Sequence, residues 1–266
     1  MYKLVALDMD GTLLNNEKKI SENNKEAILK CKNLGVKFVL STGRPLSGIK
    51  KYLEQLGLME DDNYSVLLNG ALVQNNSTSS TCYEEGLTYE ELLLIKNFLD
   101  KNNVNFHIFT DKCVYSETGN LYTEYESREN NIPLIRDSYS EIKDEKILKL
   151  VIGEESEKLD QVEKIIPKEF KDKFTTMRST PIFFEFLNKK ASKGAGIEFL
   201  TKLYGFKRED VICMGDAEND ISMLKYAGLP ITLSNAFPKV KKAAKYITSS
   251  NQEDGVAEAL NKFILK

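Results

Sequence analysis

Short apolar runs that end abruptly in polar tips, each set beside an amphipathic stretch, constrain this chain more than any other feature. Lys3–Leu7 leads to Asp8, and Val36–Leu40 empties into Ser41-Thr42-Gly43-Arg44-Pro45. Val66–Leu68 ends at Asn69-Gly70, and Val211–Met214 delivers Gly215-Asp216. Ser21 reads as the cap of a helix to about Leu34, with Ala27, Ile28, Cys31 and Leu34 at helical spacing and Gly35 as the stop. Strands that are apolar throughout need cover on both faces, and alternation with helices supplies it. The pattern therefore predicts an α/β fold with a doubly wound, mainly parallel sheet. In such sheets ligands bind beyond the carboxyl ends of the strands, where Asp8, Thr42 and Asp216 fall.

The stretch from about Tyr83 to Leu187 lacks that grammar. Helical patterns at Tyr89–Asn102 and Glu157–Ile166 lie among aromatic-rich strands at Val104–Phe109, Lys149–Ile152 and Ile182–Leu187. We expect an inserted α+β domain over 83–187, with 1–82 and 188–266 forming one discontinuous domain. The length of 266 residues fits two such bodies. A net charge of −3 supplies no basic excess for nucleic acid or an anionic membrane. No apolar stretch approaches the ~20 residues of a membrane span, and no signal-peptide pattern opens the chain. The four cysteines, Cys31, Cys82, Cys113 and Cys213, have no metal-ligand spacing, so reduced thiols and a cytoplasmic setting are expected.

The richest chemistry lies in Asp8-Met9-Asp10-Gly11-Thr12. Residues i and i+2 of an extended strand point the same way, so Asp8 and Asp10 can face one small volume. Two carboxylates that close need a proton or a cation between them. Asp8 suits nucleophilic attack on phosphorus and Asp10 suits proton transfer, with the Thr12 hydroxyl placed to hold Asp10. A turn cap at Asp8 and an Asp-Gly hairpin turn at Asp10 are the plainer alternatives, although Leu13–Ile20 is not the alternating strand a hairpin needs. Thr42 and the Gly43 amide can meet phosphate oxygens, whereas Arg44 is open between a phosphate contact and a surface ion pair.

Ser192 reads as the cap of a helix running to Tyr204. Lys193, in its first turn, opposes the helix dipole, a misplacement that a bound phosphate would explain. Gly194 and Gly196 read as glycines of helix–sheet packing. Asp216, followed by Asn219 and Asp220 one turn on, completes an acidic group. If Asp8, Asp10, Asp216 and Asp220 converge, each close pair costs ~4 kcal/mol at an effective dielectric of 20. Oxygen-only ligands then suit Mg²⁺. His107, the only histidine, excludes a histidine-cluster metal site and reads as structural, and Phe183, Phe184 and Phe186 read as core.

In this order, Asp8–Thr12, Thr42, Lys193 and Gly215-Asp216 with Asn219-Asp220 resemble the haloacid dehalogenase superfamily of phosphohydrolases. Thr42-Gly43-Arg44-Pro45, Asn69-Gly70-Ala71, Ser192-Lys193-Gly194, Ser234-Asn235-Ala236 and Asp254-Gly255-Val256 are similar to its Cof-like subfamily. The resemblance implies a Rossmann-like core with an inserted cap that sets substrate specificity. It implies Asp8 as nucleophile and metal ligand, Asp10 as acid/base with its carbonyl on Mg²⁺, and Asp216 as metal ligand. Met9 (through its amide), Thr42, Gly43, Lys193 and Asn219 would bind phosphate, supported by Thr12 and Asp220. The expected activity is Mg²⁺-dependent hydrolysis of small phosphorylated metabolites, sugar phosphates first, through an aspartyl-phosphate on Asp8, by a monomer or homodimer. A hexose phosphomutase and a phosphate-accepting sensor are the alternatives.

Overall fold

The computed structural model describes residues 2–265. They divide into two compact units, one running to Tyr83 and resuming at Ser192, the other Glu84–Ala191. In chain order the first unit begins β1 (Leu4–Leu7), α1 (Glu22–Asn33), β2 (Lys37–Leu40), α2 (Leu46–Gln55), β3 (Tyr64–Leu67), β4 (Leu72–Asn75) and β5 (Thr81–Glu84). The inserted unit holds α3 (Tyr89–Lys101), β6 (His107–Phe109), β7 (Val114–Ser116), α4 (Leu121–Glu129) and β8 (Leu134–Arg136). It continues with β9 (Lys149–Gly153), α5 (Ser156–Ile165), α6 (Lys168–Lys173), β10 (Phe174–Thr180) and β11 (Phe183–Asn188). The chain then returns through α7 (Lys193–Leu203), β12 (Val211–Met214), α8 (Ile221–Tyr226), β13 (Leu229–Leu233), α9 (Pro238–Lys241), β14 (Tyr246–Thr248) and α10 (Gly255–Leu260). No helix among the described residues is long and apolar enough to cross a membrane.

The first unit is built on a parallel sheet in the order β14-β13-β12-β1-β2. Leu4 and Ala6 of β1 join Ile197 and Leu200 of α7 and Met223 and Leu224 of α8 in one apolar cluster. Val5 and Leu7 alternate to the opposite face and are fully buried. On the helical side, α1 and α10 pack on each other and against β2 and β14. Ser21 caps α1, accepting from the Asn24 amide at 3.2 Å. From β1 the chain winds to β2 on one side and later to β12 on the other, so the crevice between β1 and β12 is the topological switch point. Leu7 is in register with both Met214 and Leu40, which levels the strand tips and sets Asp8, Gly215 and Ser41 side by side.

The Val66–Leu68 run departs from expectation. Only Tyr64–Leu67 is strand, and it pairs antiparallel with β4 in a separate β3-β4-β5 sheet. A Ser41–Val66 bridge ties that sheet to the tip of β2. Leu68, Asn69 and Gly70 all take positive φ (49°, 57° and 92°), and this left-handed run ends the strand. At Gly70 a Cβ would lie 2.0 Å from the Ser192 carbonyl oxygen, so only glycine lets the helix start of α7 approach. Gly196 meets the Val66 side chain of β3 as a packing glycine, whereas Gly194 sits against Ser222 of α8, a helix–helix contact.

The inserted unit is a six-stranded sheet, β10-β11-β9-β6-β7-β8, antiparallel except for β7–β8. One face carries Ile108, Leu150, Ile152, Phe184 and Phe186, packed with residues of α3, α5 and α6. Phe183 alternates to the other face, where it is buried as expected and stacks on Tyr125 of α4 at 6.2 Å. His107 shares that face: it is buried, 3.2 Å from Thr123 Oγ1 through Nδ1. Helix α4 has no apolar stripe to announce it, since only Thr123 of its residues is fully buried. Of the strand expected over Val104–Phe109, only His107–Phe109 pairs.

Candidate active site

Asp8 leaves β1 with its amide bonded to the Met214 carbonyl at 2.9 Å. Its Oδ1 accepts from Lys193 Nζ at 2.6 Å, and the same ammonium reaches Asp220 Oδ1 at 2.6 Å. The Lys193 side chain is completely buried. Ser192 caps α7 by accepting from the Ala195 amide at 3.1 Å, which fixes the helix start and so the root of Lys193. The other oxygen of Asp220 accepts from the amides of Asp216 and Ala217, both at 2.9 Å. Asp220 thus has no oxygen to spare: it orients Lys193 and pins the tip of β12.

Thr12 donates to Asp216 Oδ1 at 2.7 Å. The sequence suggested Asp10 as its partner, and the structure corrects this. Gly11, at φ +88°, turns the chain toward the neighbouring strand tip, and a Cβ there would stand 2.4 Å from Asp216 Oδ2. The glycine thus allows the close approach of two strand ends that a side chain would forbid.

Asp8, Asp216 and Asp220 offer carboxylate oxygens all within 4.8 Å of one another, and all three residues are buried. One lysine faces three carboxylates, so the cluster carries excess negative charge. Burial, then the Asp220 charge, pushes the Asp8 carboxyl well above the usual range, with Lys193 opposing. Burial, with Asp220 adding, raises Asp216 to about 6 against its Thr12 hydrogen bond. Burial works against the charge on Lys193, but Asp220 and Asp8 hold its pKa above that of an ordinary lysine. Such a surplus in hard oxygen donors fits a divalent cation. Oδ2 of Asp8 and of Asp216, which meet no hydrogen-bond donor among the described residues, are the oxygens left for one.

Asp10 belongs to a different electrostatic setting. Arg44 grips it with both ends of its fork, Nε to Oδ2 at 2.9 Å and Nη2 to Oδ1 at 2.9 Å. Lys18 adds a third donor on Oδ1 at 2.5 Å. Burial would raise the Asp10 pKa, but Arg44 and then Lys18 outweigh it and bring the carboxyl down to about 2. Arg44, left open by the sequence, is therefore paired with an acid of the site itself. Lys18 carried no signal at all, because its place depends on the folded shape of the 11–20 loop.

Thr42, Gly43, Asn69 and Asn219 form a third group. Thr42 binds Val66 O through its amide at 2.9 Å, and its hydroxyl accepts from the Arg44 amide at 3.2 Å. The Asn69 amide returns to the Thr42 carbonyl at 2.9 Å, while Asn219 Nδ2 donates to Asn69 Oδ1 at 3.0 Å. Asn69, expected as a strand end and as part of the Asn69-Gly70-Ala71 motif, has its side chain within 3.3 Å of where a Gly43 Cβ would stand. Asn219 Oδ1 and Ser41 Oγ are buried without a hydrogen-bond partner among the described residues. Met9 is fully buried, its carbonyl accepting from the Leu14 amide at 2.8 Å.

A family profile described as haloacid dehalogenase-like hydrolase matches residues 5–260. The chain belongs to that family. It is 33% identical over 264 residues to the 5-amino-6-(5-phospho-D-ribitylamino)uracil phosphatase YcsE of Bacillus subtilis, covering 99% of this chain and 96% of that one. A haloacid dehalogenase-like hydrolase from Bacteroides thetaiotaomicron superposes with a TM-score of 0.87 at 31% identity, covering 99% of this chain and 100% of that one. The subclass IIB sugar phosphatase BT4131 does so with a TM-score of 0.82 at 25% identity, covering 98% of each. This haloacid dehalogenase-like hydrolase is accordingly a phosphatase, a phosphoric monoester hydrolase.

Proposed function

We propose that this enzyme is a Mg²⁺-dependent phosphatase of small phosphorylated metabolites, sugar and polyol phosphates foremost, working through an aspartyl-phosphate on Asp8. The observation that carries the reading is the buried Lys193 shared by Asp8 and Asp220 at 2.6 Å each, inside a cluster that still holds too much negative charge. Asp8 attacks phosphorus, the P–O bond to the leaving alkoxide breaks, and the phosphoryl group rests on Asp8 until water removes it. Lys193 compensates the charge on Asp8 and on the incoming phosphate oxygens. Asp10, once its contacts to Arg44 and Lys18 loosen and it has taken up a proton from solvent, delivers that proton to the leaving oxygen and takes one back from the attacking water. Thr42, with the amides of Met9 and Gly43 and the Asn219 side chain, holds the remaining phosphate oxygens.

Asp8 and Asp216 with the Asp10 carbonyl would hold Mg²⁺, which supplies charge stabilisation for the transferring phosphoryl group. The names of YcsE and BT4131, which refer to a phosphorylated ribityl chain and to sugar phosphates, support a hydroxyl-rich leaving group. In this reading the inserted unit is the cap that chooses among substrates, and the free cysteines suit a reducing cytoplasm. Release of phosphate from p-nitrophenyl phosphate with Mg²⁺, abolished by EDTA and absent in Asp8→Asn, is the expected result. Turnover that is indifferent to EDTA, or that survives in Asp8→Asn, would remove the proposal.

A further inference from the structure

We propose that Lys18 and Arg44 select substrates whose leaving group carries a second anionic group, a carboxylate or another phosphate, near the scissile ester. The inference rests on the phosphatase reading above and deepens it. The leaving oxygen must come within hydrogen-bond reach of the Asp10 side chain. Both oxygens of that carboxylate are already engaged, Oδ1 by Lys18 and Arg44 and Oδ2 by Arg44. The cations holding Asp10 therefore stand beside the place the leaving group must occupy, and at least one contact has to open.

Lys18 is built for this position. Its backbone is left-handed, φ 58°, a conformation that a lysine adopts only when its surroundings impose it. The buried Tyr52 donates from its hydroxyl to the Lys18 carbonyl at 3.0 Å, and the Lys18 amide bonds to the Asn15 carbonyl at 3.0 Å. The Asn15 side chain accepts from the amides of Glu17 and Lys19, and a Leu14–Ile20 bridge closes the loop. The backbone is held while the side chain, 56% exposed, can swing; Arg44 is 17% exposed. An anion on the leaving group gives these cations a new partner as the substrate arrives, so binding and release of Asp10 become one event. A neutral, hydroxyl-rich leaving group offers these cations only hydrogen bonds in exchange, so among sugar and polyol phosphates those with a second anion react faster.

The test compares initial rates of the full-length enzyme with Mg²⁺ on two matched pairs, with p-nitrophenyl phosphate as a fifth ester. Glycerol 3-phosphate against 3-phosphoglycerate probes a carboxylate. Fructose 1-phosphate against fructose 1,6-bisphosphate probes a second phosphate. In at least one pair kcat/KM should favour the anionic member by about tenfold or more, and that pair identifies the anion. Lys18→Gln should bring the ratio close to one, and Lys18→Arg should restore it. Ratios near one for both pairs in the parent enzyme, or a preference that persists in Lys18→Gln, overturn the proposal while p-nitrophenyl phosphate is still hydrolysed. Hydrolysis of none of the five esters would overturn the phosphatase reading with it.

Discussion

Each unit of the molecule buries a lysine between two carboxylates, and the two networks differ in how their charges close. Lys193 meets Asp8 and Asp220 at 2.6 Å each, with Asp216 as a third carboxylate in the cluster. In the inserted unit Lys149, 3% exposed, lies 3.1 Å from Glu185 and 3.9 Å from Glu126, over the Phe109 ring at 4.5 Å. His107 Nε2 lies 3.7 Å from Glu126. One lysine faces two carboxylates in the second network and three in the first, so the first carries the larger surplus of negative charge. A buried lysine is thus no mark of chemistry by itself. The unbalanced remainder is what calls for an exogenous cation and an anionic substrate on its lysine.

The largest effect that separates the networks is catalytic. Asp8→Asn should lower kcat by about 10⁴-fold or more, as loss of a covalent nucleophile does. The same change removes a carboxylate repelled by Asp220 and Asp216, so the midpoint of thermal unfolding in EDTA should hold or rise. A fall of several degrees in EDTA would mean that Asp8 is a net stabilising partner of Lys193, and that the surplus of charge has been overstated.

Removing the lysines is the next largest change. Lys193→Met and Lys149→Met each strand buried carboxylates, which costs about 3–5 kcal/mol when no proton or ion replaces the lost charge. Denaturant midpoints with and without Mg²⁺ distinguish them. Added cation should recover part of the loss in Lys193→Met, where Asp8 and Asp216 can take it, and none in Lys149→Met. Equal recovery in both would erase the distinction drawn between the networks.

The two networks also differ in how far the sequence revealed them. Asp8, Thr42 and Asp216 were legible because each follows an apolar parallel strand, and parallel strands in register must end level. The position of Lys193 in a first helical turn was legible as a local misfit. What stayed hidden depends on contacts far apart in sequence or on loop backbone. Lys18 reaches Asp10 only because residues 14–20 fold into a closed loop with a left-handed lysine. Thr12 reaches Asp216, 204 positions away, because Gly11 turns it. In the inserted unit Lys149 and Glu185 alternate onto the face opposite the apolar core, but nothing local announces that β6, β9 and β11 are neighbours. Helix α4, which brings Glu126 and Thr123 to that face, shows no hydrophobic period.

Cation binding gives a smaller and pH-dependent signature. With Asp216 near 6 in the cation-free fold against an ordinary carboxylate near 4, the folded chain holds a proton there that the unfolded chain has lost. The folded state then binds more protons than the unfolded between about pH 4 and 6. This group's stabilising contribution is therefore full at low pH and is lost as pH rises through about 6. Mg²⁺ reverses the sign by favouring the ionised form. Mg²⁺ at about 100 times its Kd should add roughly 2.7 kcal/mol. Its apparent affinity should weaken by up to about tenfold per pH unit below 6 as protons compete, by calorimetry across pH 5–8. A flat profile would show that Asp216 is ionised throughout and that the cluster is less crowded than its geometry indicates.

The smallest test uses two buried hydroxyls, one in each network. Thr12 donates to Asp216 Oδ1 at 2.7 Å, and Thr123 Oγ1 stands 3.2 Å from His107 Nδ1. Replacing either by valine preserves shape and removes one hydrogen bond at Thr12 and two at Thr123, which also meets Asn120 Oδ1 at 3.1 Å, at a cost of about 1 kcal/mol for each bond. The consequences should then diverge. The Thr12 bond lowers the Asp216 pKa, so Thr12→Val should move the acid limb of Mg²⁺ binding to higher pH, with weaker binding at pH 6 than the parent. Thr123→Val touches none of Asp8, Asp216 and Asp220, and its Mg²⁺ titration should overlay the parent at every pH. If Thr12→Val also overlays the parent, the hydroxyl only fills space between two strand tips, and the tuning of Asp216 has to come from Asp220 and burial alone.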